Sequence, residues 1–236
     1  MTLADLSAQD IARLTLEAEE MLLERLNVKR TLTQILSLPG GCARFASAFY
    51  FVRYNFFKLN FLVGSRSSAH ELYWSPLVNN LYEELGGPYG TSHNELYRQF
   101  LNEVGIRSES DLVQPSFAVI FNHAWEDYAI TAPFDEALAA IGIYEILDRP
   151  DYRLLLEVVR SAGLSDRALR FFEVHASAEH FDMFSDTMKA ILRHRSGQEC
   201  VSRAVSFVQS VQQQMWTGLL LHLEDTGKSD LAISQL

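Results

Sequence analysis

The sequence predicts an all-α fold, and three observations carry that prediction. Apolar residues recur at spacings of three and four through most of the 236 residues, as amphipathic helices require. The two-residue alternation of half-buried strands is nearly absent. Glycine and proline punctuate the chain at short connections, which favours antiparallel neighbours in a helical bundle.

The first helix is predicted from Leu6 to Leu26, where Ile11, Leu14, Leu16, Met21, Leu22 and Leu26 recur among acids, with Ser7 as N-cap. A short second segment ends at Pro39-Gly40-Gly41, and a long aromatic and aliphatic run follows over 42–63. The next helix, over 67–85, stops at Gly86-Gly87-Pro88, a tripeptide that cannot continue a helix cheaply. Ser92 and Glu95 form a capping box that opens the helix reading ELYRQFL. Further helices are predicted over 115–129, 134–148, 151–162, 166–194 and 198–224.

Apolar residues make up 48% of the chain, enough for a substantial core, and no linker, repeat or low-complexity tract divides it. One domain over 1–236 is expected. A net charge of −10, from 20 basic and 30 acidic residues with the basic ones dispersed, argues against nucleic acid or an anionic membrane as partner. Cys42 and Cys200 are too few for a disulfide framework, and the polar start MTLADLSAQD is not a signal segment, so a cytoplasmic protein is expected. Arg44, Arg53, Asn55, Lys58 and Asn60 interrupt the apolar stretch around 45–63 and make it a core helix, not a membrane span.

Polar residues in apolar helices point to chemistry. In FFEVHASAEHFDMF, residues 171–184, His175, Glu179 and Asp182 fall within roughly 60° of one another on one helical face, among phenylalanines that leave little room for a solvated stripe. Glu145 closes the run FDEALAAIGIYEIL, which is apolar on almost every face, so its carboxylate needs a cation, a hydrogen-bond network or a metal. Gly142, one turn earlier, marks a close helix crossing or a ligand. In NLYEELGGPYGTSHNELYRQFL, Glu83 and Glu84 end one helix, His93 opens the next, and the glycine-rich turn folds them together. Each group alone is an ordinary polar residue. In combination, Glu83, His93, Glu145, His175, Glu179 and Asp182 supply four carboxylates and two imidazoles, an inventory that suits ferrous iron or manganese better than zinc and balances two divalent ions. His180, His123, His70 and His222 read as structural or surface histidines, with His70 and Glu71, and Glu126 and Asp127, as reserves.

These segments, with the aromatic helix AFYFVRYNFFKLNFL, resemble the haem-oxygenase-like diiron oxidases and oxygenases, relatives of thiaminase-like and pyrroloquinoline-quinone-synthase-like helical proteins. The resemblance implies an up-and-down bundle of about seven core helices and a homodimer. It assigns Glu83, His93, Glu145, His175, Glu179 and Asp182 as ligands of two Fe(II) ions, with manganese as alternative metal. The last motif departs from the family, whose usual order is His, Asp and His where this chain has His175, Glu179 and Asp182. Asp182, His180 or His70 would then complete the second iron.

No base accompanies Cys42 or Cys200, as a thiaminase nucleophile requires, and the first helix has no histidine for haem. The activity implied is O2-dependent oxidation of a small substrate, an aromatic or aliphatic amino acid, by C–H, C–N or C–C chemistry in natural-product biosynthesis, including nitrile formation, with an external electron donor. Tyr82, Tyr89, Tyr144, Phe172 and Phe181 are candidates for the pocket wall. A metal-free binding protein and a cofactorless oxidase are the alternatives.

Overall fold

The computed structural model describes residues 6–53, 56–66, 71–87, 90–177 and 181–233, without the side chains of 181–183 and 228–233. The described chain is all-α. Its helices are α1 (Ala8–Arg25), α2 (Val28–Leu36), α3 (Gly41–Arg53), α4 (Phe56–Gly64), α5 (Glu71–Glu84), α6 (His93–Glu103), α7 (Ser116–Thr131), α8 (Phe134–Ser161), α9 (Asp166–Ser177), α10 (Phe181–Arg193) and α11 (Gly197–Ile233), with one 3₁₀ turn at Glu109–Asp111. The buried apolar side chains join into one continuous core. None of the described helices is long and apolar enough to cross a membrane.

Local chemistry sets the helix starts. Ser7 caps α1 through the Asp10 amide, and Asp10 reaches back to the Ser7 amide, a complete capping box. At α6 only half of the predicted box forms. Ser92 accepts from the Glu95 amide, but the Glu95 carboxylate turns outward to Arg98.

The run over 42–63 is described as α3 and α4, and that over 166–194 as α9 and α10, with residues 54–55 and 178–180 outside those described. One expected boundary differs: 134–162 is not broken before Pro150, and α8 runs straight through it. A proline inside a helix removes one hydrogen bond and costs about 3 kcal/mol. Here the neighbours offset that cost: α1, α2, α9, α10 and α11 pack around α8 and bury both halves, from Ala137 to Leu147 and from Tyr152 to Val159.

Gly142 lies on the α8 face that meets α10. A Cβ there would sit 3.0 Å from both Cβ and Cγ of Phe184, so a helix crossing accounts for this glycine. A second polar feature ties α1, α8 and α11 together. Gln212 donates to Glu19 and Asp151, and the Trp216 indole donates to Glu19 at 3.1 Å, all within the core. Burial raises the pKa of Asp151 well above its ordinary value, and the neighbouring charge of Glu19 raises it further. The pair therefore holds a proton on Asp151 that is shared with Glu19.

Two outcomes follow. Gly142→Val should lower the unfolding free energy by about 2 kcal/mol through overpacking against Phe184, read as a lower urea midpoint at unchanged slope. The folded pKa of Asp151 lies above the unfolded value, so the folded chain holds a proton that the unfolded chain releases near pH 4, and stability falls as pH rises from there towards the folded pKa. Asp151→Asn, neutral at every pH, should flatten that decline in urea midpoints measured from pH 4 to 8. Parallel profiles for variant and wild type would show that no proton is shared.

Candidate metal centre

The site forms where α5 ends, α6 begins and the last turn of α9 crosses them. Gly86 adopts a φ of 90°, and a Cβ there would strike the Thr91 carbonyl carbon at 2.5 Å and the Ser92 nitrogen at 2.7 Å. Only glycine lets the chain reverse so tightly. The reversal brings Glu84 at the end of α5 against His93 at the first position of α6, with His93 Nδ1 2.9 Å from Glu84 Oε1.

His175 lies alongside, its ring centroid 4.4 Å from that of His93. One potential ligand atom each from Glu84, His93 and His175 lies within 4.8 Å of the other two, a grouping that no other His, Cys, Asp or Glu set makes among the described residues. Both histidines are buried, with His93 1% exposed.

Electrostatics fixes which atoms face inward. Burial pushes the His175 pKa well below its ordinary value, and the nearby charge of His93 lowers it further, so His175 is a neutral imidazole. Its Nδ1 donates to the Phe171 carbonyl at 2.8 Å, which leaves Nε2 as the nitrogen with the lone pair. Burial opposes ionisation of Glu84, but the hydrogen bond from His93, with the positive charge of Arg53 adding to it, outweighs burial and holds the carboxyl at about 2. Glu84 is an acceptor, so His93 Nδ1 donates to it. His93 Nε2 is then left buried with no hydrogen-bond partner.

An orphaned buried nitrogen next to a second imidazole nitrogen costs free energy unless something accepts or coordinates it. A divalent cation fits that need, since two imidazoles and a carboxylate are donors that iron or manganese accepts, and a carboxylate behind a ligating histidine is the usual support for such a ring. Tyr152 stacks on His175 at 4.3 Å and 26°, and the Phe171 ring lies 4.3 Å from it, so aromatic carbon surrounds the polar centre.

Residues 43–212 match the sequence profile of a family described as iron-containing redox enzymes. The chain belongs to the iron-containing redox enzyme family. Among solved structures it is similar to a CADD-like protein of unknown function from Nostoc punctiforme PCC 73102. One crystal structure of that protein, at 2.00 Å, has a TM-score of 0.73 and 14% identity over 90% of this chain and 98% of the other. A second, at 1.35 Å, has a TM-score of 0.71 and 14% identity over 91% and 96%. At that identity the likeness shows the fold. No curated protein matches the chain.

Within this member of the iron-containing redox enzyme family, the six residues singled out in the sequence are distributed as follows. His93 and His175 meet directly. Glu83 is half-buried next to Glu84, and the carboxylate in the three-donor group is that of Glu84. On an ideal helix Glu84 lies closer than Glu83 to the centre of the buried Pro76, Leu77 and Asn80 face, a signal available in the sequence. Glu145 is buried and accepts from Asn80 Nδ2 at 2.8 Å, outside the three-donor group. Asn80 in turn accepts from Asn60 at 3.3 Å.

Glu179, His70 and His180 lie outside the described residues, as does the side chain of Asp182. Of the expected wall residues, Tyr82 is 60% exposed, while Tyr144 packs on Phe56 and Trp125, and Phe172 on Phe100. Tyr89 and the Phe181 side chain lie outside the described residues. Tyr152 and Phe171 hold the wall position instead.

His93→Ala and His175→Ala should each weaken Fe(II) binding at least about tenfold in anaerobic titrations, and Glu84→Gln by about 10–100-fold through loss of the support on His93. An unchanged affinity in His93→Ala, with helical circular dichroism intact, would remove that residue from the centre.

Proposed function

We propose that this iron-containing redox enzyme is a non-haem diiron oxidase or oxygenase that uses O2 to oxidise or fragment a small amino-acid-derived substrate. The observation that carries the reading is the unpartnered, buried Nε2 of His93 beside the neutral His175 and the ionised Glu84. His93 and His175 would hold one ion, with the Glu84 carboxylate supporting the His93 ring from its Nδ1 side. Glu83, Glu145, Glu179 and Asp182 are the residues that would complete a second. Ferrous iron, when bound, supplies electrons for the reduction of O2.

The chain's own groups have separable tasks in this reading. Glu84 fixes the tautomer of His93, and the Phe171 carbonyl fixes that of His175, so both rings present Nε2 without reorganisation. Asn80 orients Glu145. Tyr152 and Phe171 keep bulk water from the imidazoles, which strengthens each charge interaction there. Reduction of O2 to water takes four electrons, so a two-electron oxidation of substrate leaves two for an external donor. Amino acids whose C–H, C–N or C–C bonds are oxidised, including tryptophan-type precursors of nitriles in natural-product biosynthesis, are the substrate class this reading favours.

Protein purified under nitrogen and titrated with Fe(II) should take up two equivalents per chain, and O2 should then give a transient visible absorption band. Oxygen consumption with a panel of amino acids and fatty acids should be abolished by chelators. One equivalent would restrict the centre to Glu84, His93 and His175. No uptake at all would leave a metal-free binding protein, and chelator-resistant oxygen consumption a cofactorless oxidase.

A further inference from the structure

Arg53, the last residue of α3, stands in the aromatic layer around the proposed centre. Its guanidinium carbon lies 5.1 Å from the ring centroid of Tyr97 and 5.0 Å from that of Phe171. Phe171 is the ring that borders His175, and its carbonyl fixes the His175 tautomer. Nη2 donates to Asn94 Oδ1 at 2.9 Å, one residue beyond His93. Arg53 therefore touches α6 and α9 next to the two imidazoles. Its positive charge is among the influences that hold the Glu84 carboxyl down.

The other terminal nitrogen is unusual. Nη1 is buried and has no hydrogen-bond partner, although a guanidinium N–H is a strong donor that costs free energy when buried and unmet. Nε2 of His93, the chain neighbour of the Asn94 that Arg53 holds, is another buried nitrogen in that condition. The geometry points to Arg53 as the anchor of a substrate carboxylate, which would take the free Nη1–H while another part of the substrate lies against His93 and His175.

A carboxylate suits the position better than a phosphate. One guanidinium balances one negative charge, and the Glu84 carboxylate, which already feels the Arg53 charge, would repel the second charge of a phosphate monoester. The aromatic rings that hold Arg53 keep water away and raise the strength of such a charge-assisted bond. Arg53 is a specificity residue in this account, outside the metal ligand set, and the inference rests on the proposed function for the identity of the centre beside it.

The test measures binding, without turnover, on Fe(II)-loaded protein under nitrogen and in parallel on metal-free protein. The probes are matched pairs: L-tryptophan with L-tryptophanamide, L-leucine with L-leucinamide, decanoate with decanamide, and phenyl phosphate as the dianion. Calorimetric titration of the wild type should show at least one carboxylate binding about tenfold or more tighter than its amide and tighter than phenyl phosphate. Arg53→Gln should erase that preference while its iron stoichiometry stays that of the wild type. Arg53→Lys, which keeps the charge and loses the planar fork, should retain part of it and guards against misfolding of the glutamine variant.

A carboxylate preference that survives in Arg53→Gln overturns the inference, as does a wild type that binds no carboxylate more tightly than its amide. A preference for phenyl phosphate overturns the carboxylate assignment. Absence of iron uptake by the wild type overturns the diiron reading instead, and the metal-free titration then decides the role of Arg53 separately.

Discussion

The rest of the site depends on one hydrogen bond, from His93 Nδ1 to Glu84. It fixes the imidazole that opens α6 to the carboxylate that closes α5 across a turn only a few residues long. Without it the His93 ring could rotate, and nothing would determine which nitrogen faces His175. The bond requires its own scaffold. Gly86 must take a left-handed conformation, Ser92 must cap α6 so that His93 starts the helix, and α9 must deliver His175 within one ring of it. Each is a local demand with a local residue to meet it, and the pieces converge because α8 packs against α9 and α5 reaches α8 through the bond from Asn80 to Glu145.

The protein deals with buried carboxylates in two different ways. At the α1, α8 and α11 junction, Glu19 and Asp151 lie together without a cation, and burial favours the neutral form enough for Asp151 to keep its proton. At the candidate centre, the partly buried Glu84 is held ionised by the hydrogen bond from His93 and the charge of Arg53. The distinction is chemical. An acid pair that keeps a proton needs no cation, whereas an ionised carboxylate supporting an imidazole with an unused lone pair is open to a further positive partner.

Much of this was legible in the sequence, and the parts that were not have identifiable causes. Helical periodicity and the glycine-proline turn at 86–88 marked the ends of α5 and α6, and His93 and His175 stood out as imidazoles beside carboxylates in apolar surroundings. The choice between Glu83 and Glu84 needed the helix phase relative to the buried Asn80 face, which adjacent glutamates conceal unless angles are compared. The spans expected over 134–148 and 151–162 join into one helix because local propensity cannot register the helices packed around α8. Nothing local distinguishes Glu19 from the other acids of α1, since its partners Gln212 and Trp216 and its neighbour Asp151 are more than a hundred residues away.

Arg53 was the least legible residue and the most informative. In the sequence it served only to interrupt an apolar run and so to argue against a membrane span. In the fold, that interruption is a cation placed between two aromatic faces within one ring of an imidazole pair. An arginine at a helix end normally reaches solvent, because its long stem lets the charge escape burial. Arg53 instead keeps one terminal nitrogen inside, without a hydrogen-bond partner from the protein. The stem could carry that nitrogen outward at the cost of two cation–π contacts and the bond to Asn94, each worth no more than a few kcal/mol. Arg53 reaches the imidazole pair through Asn94, the neighbour of His93, and through Phe171, which borders His175. Its Nη1 offers an N–H where His93 Nε2 offers a lone pair, and a single ligand with a carboxylate at one end would satisfy the first while lying against the imidazoles.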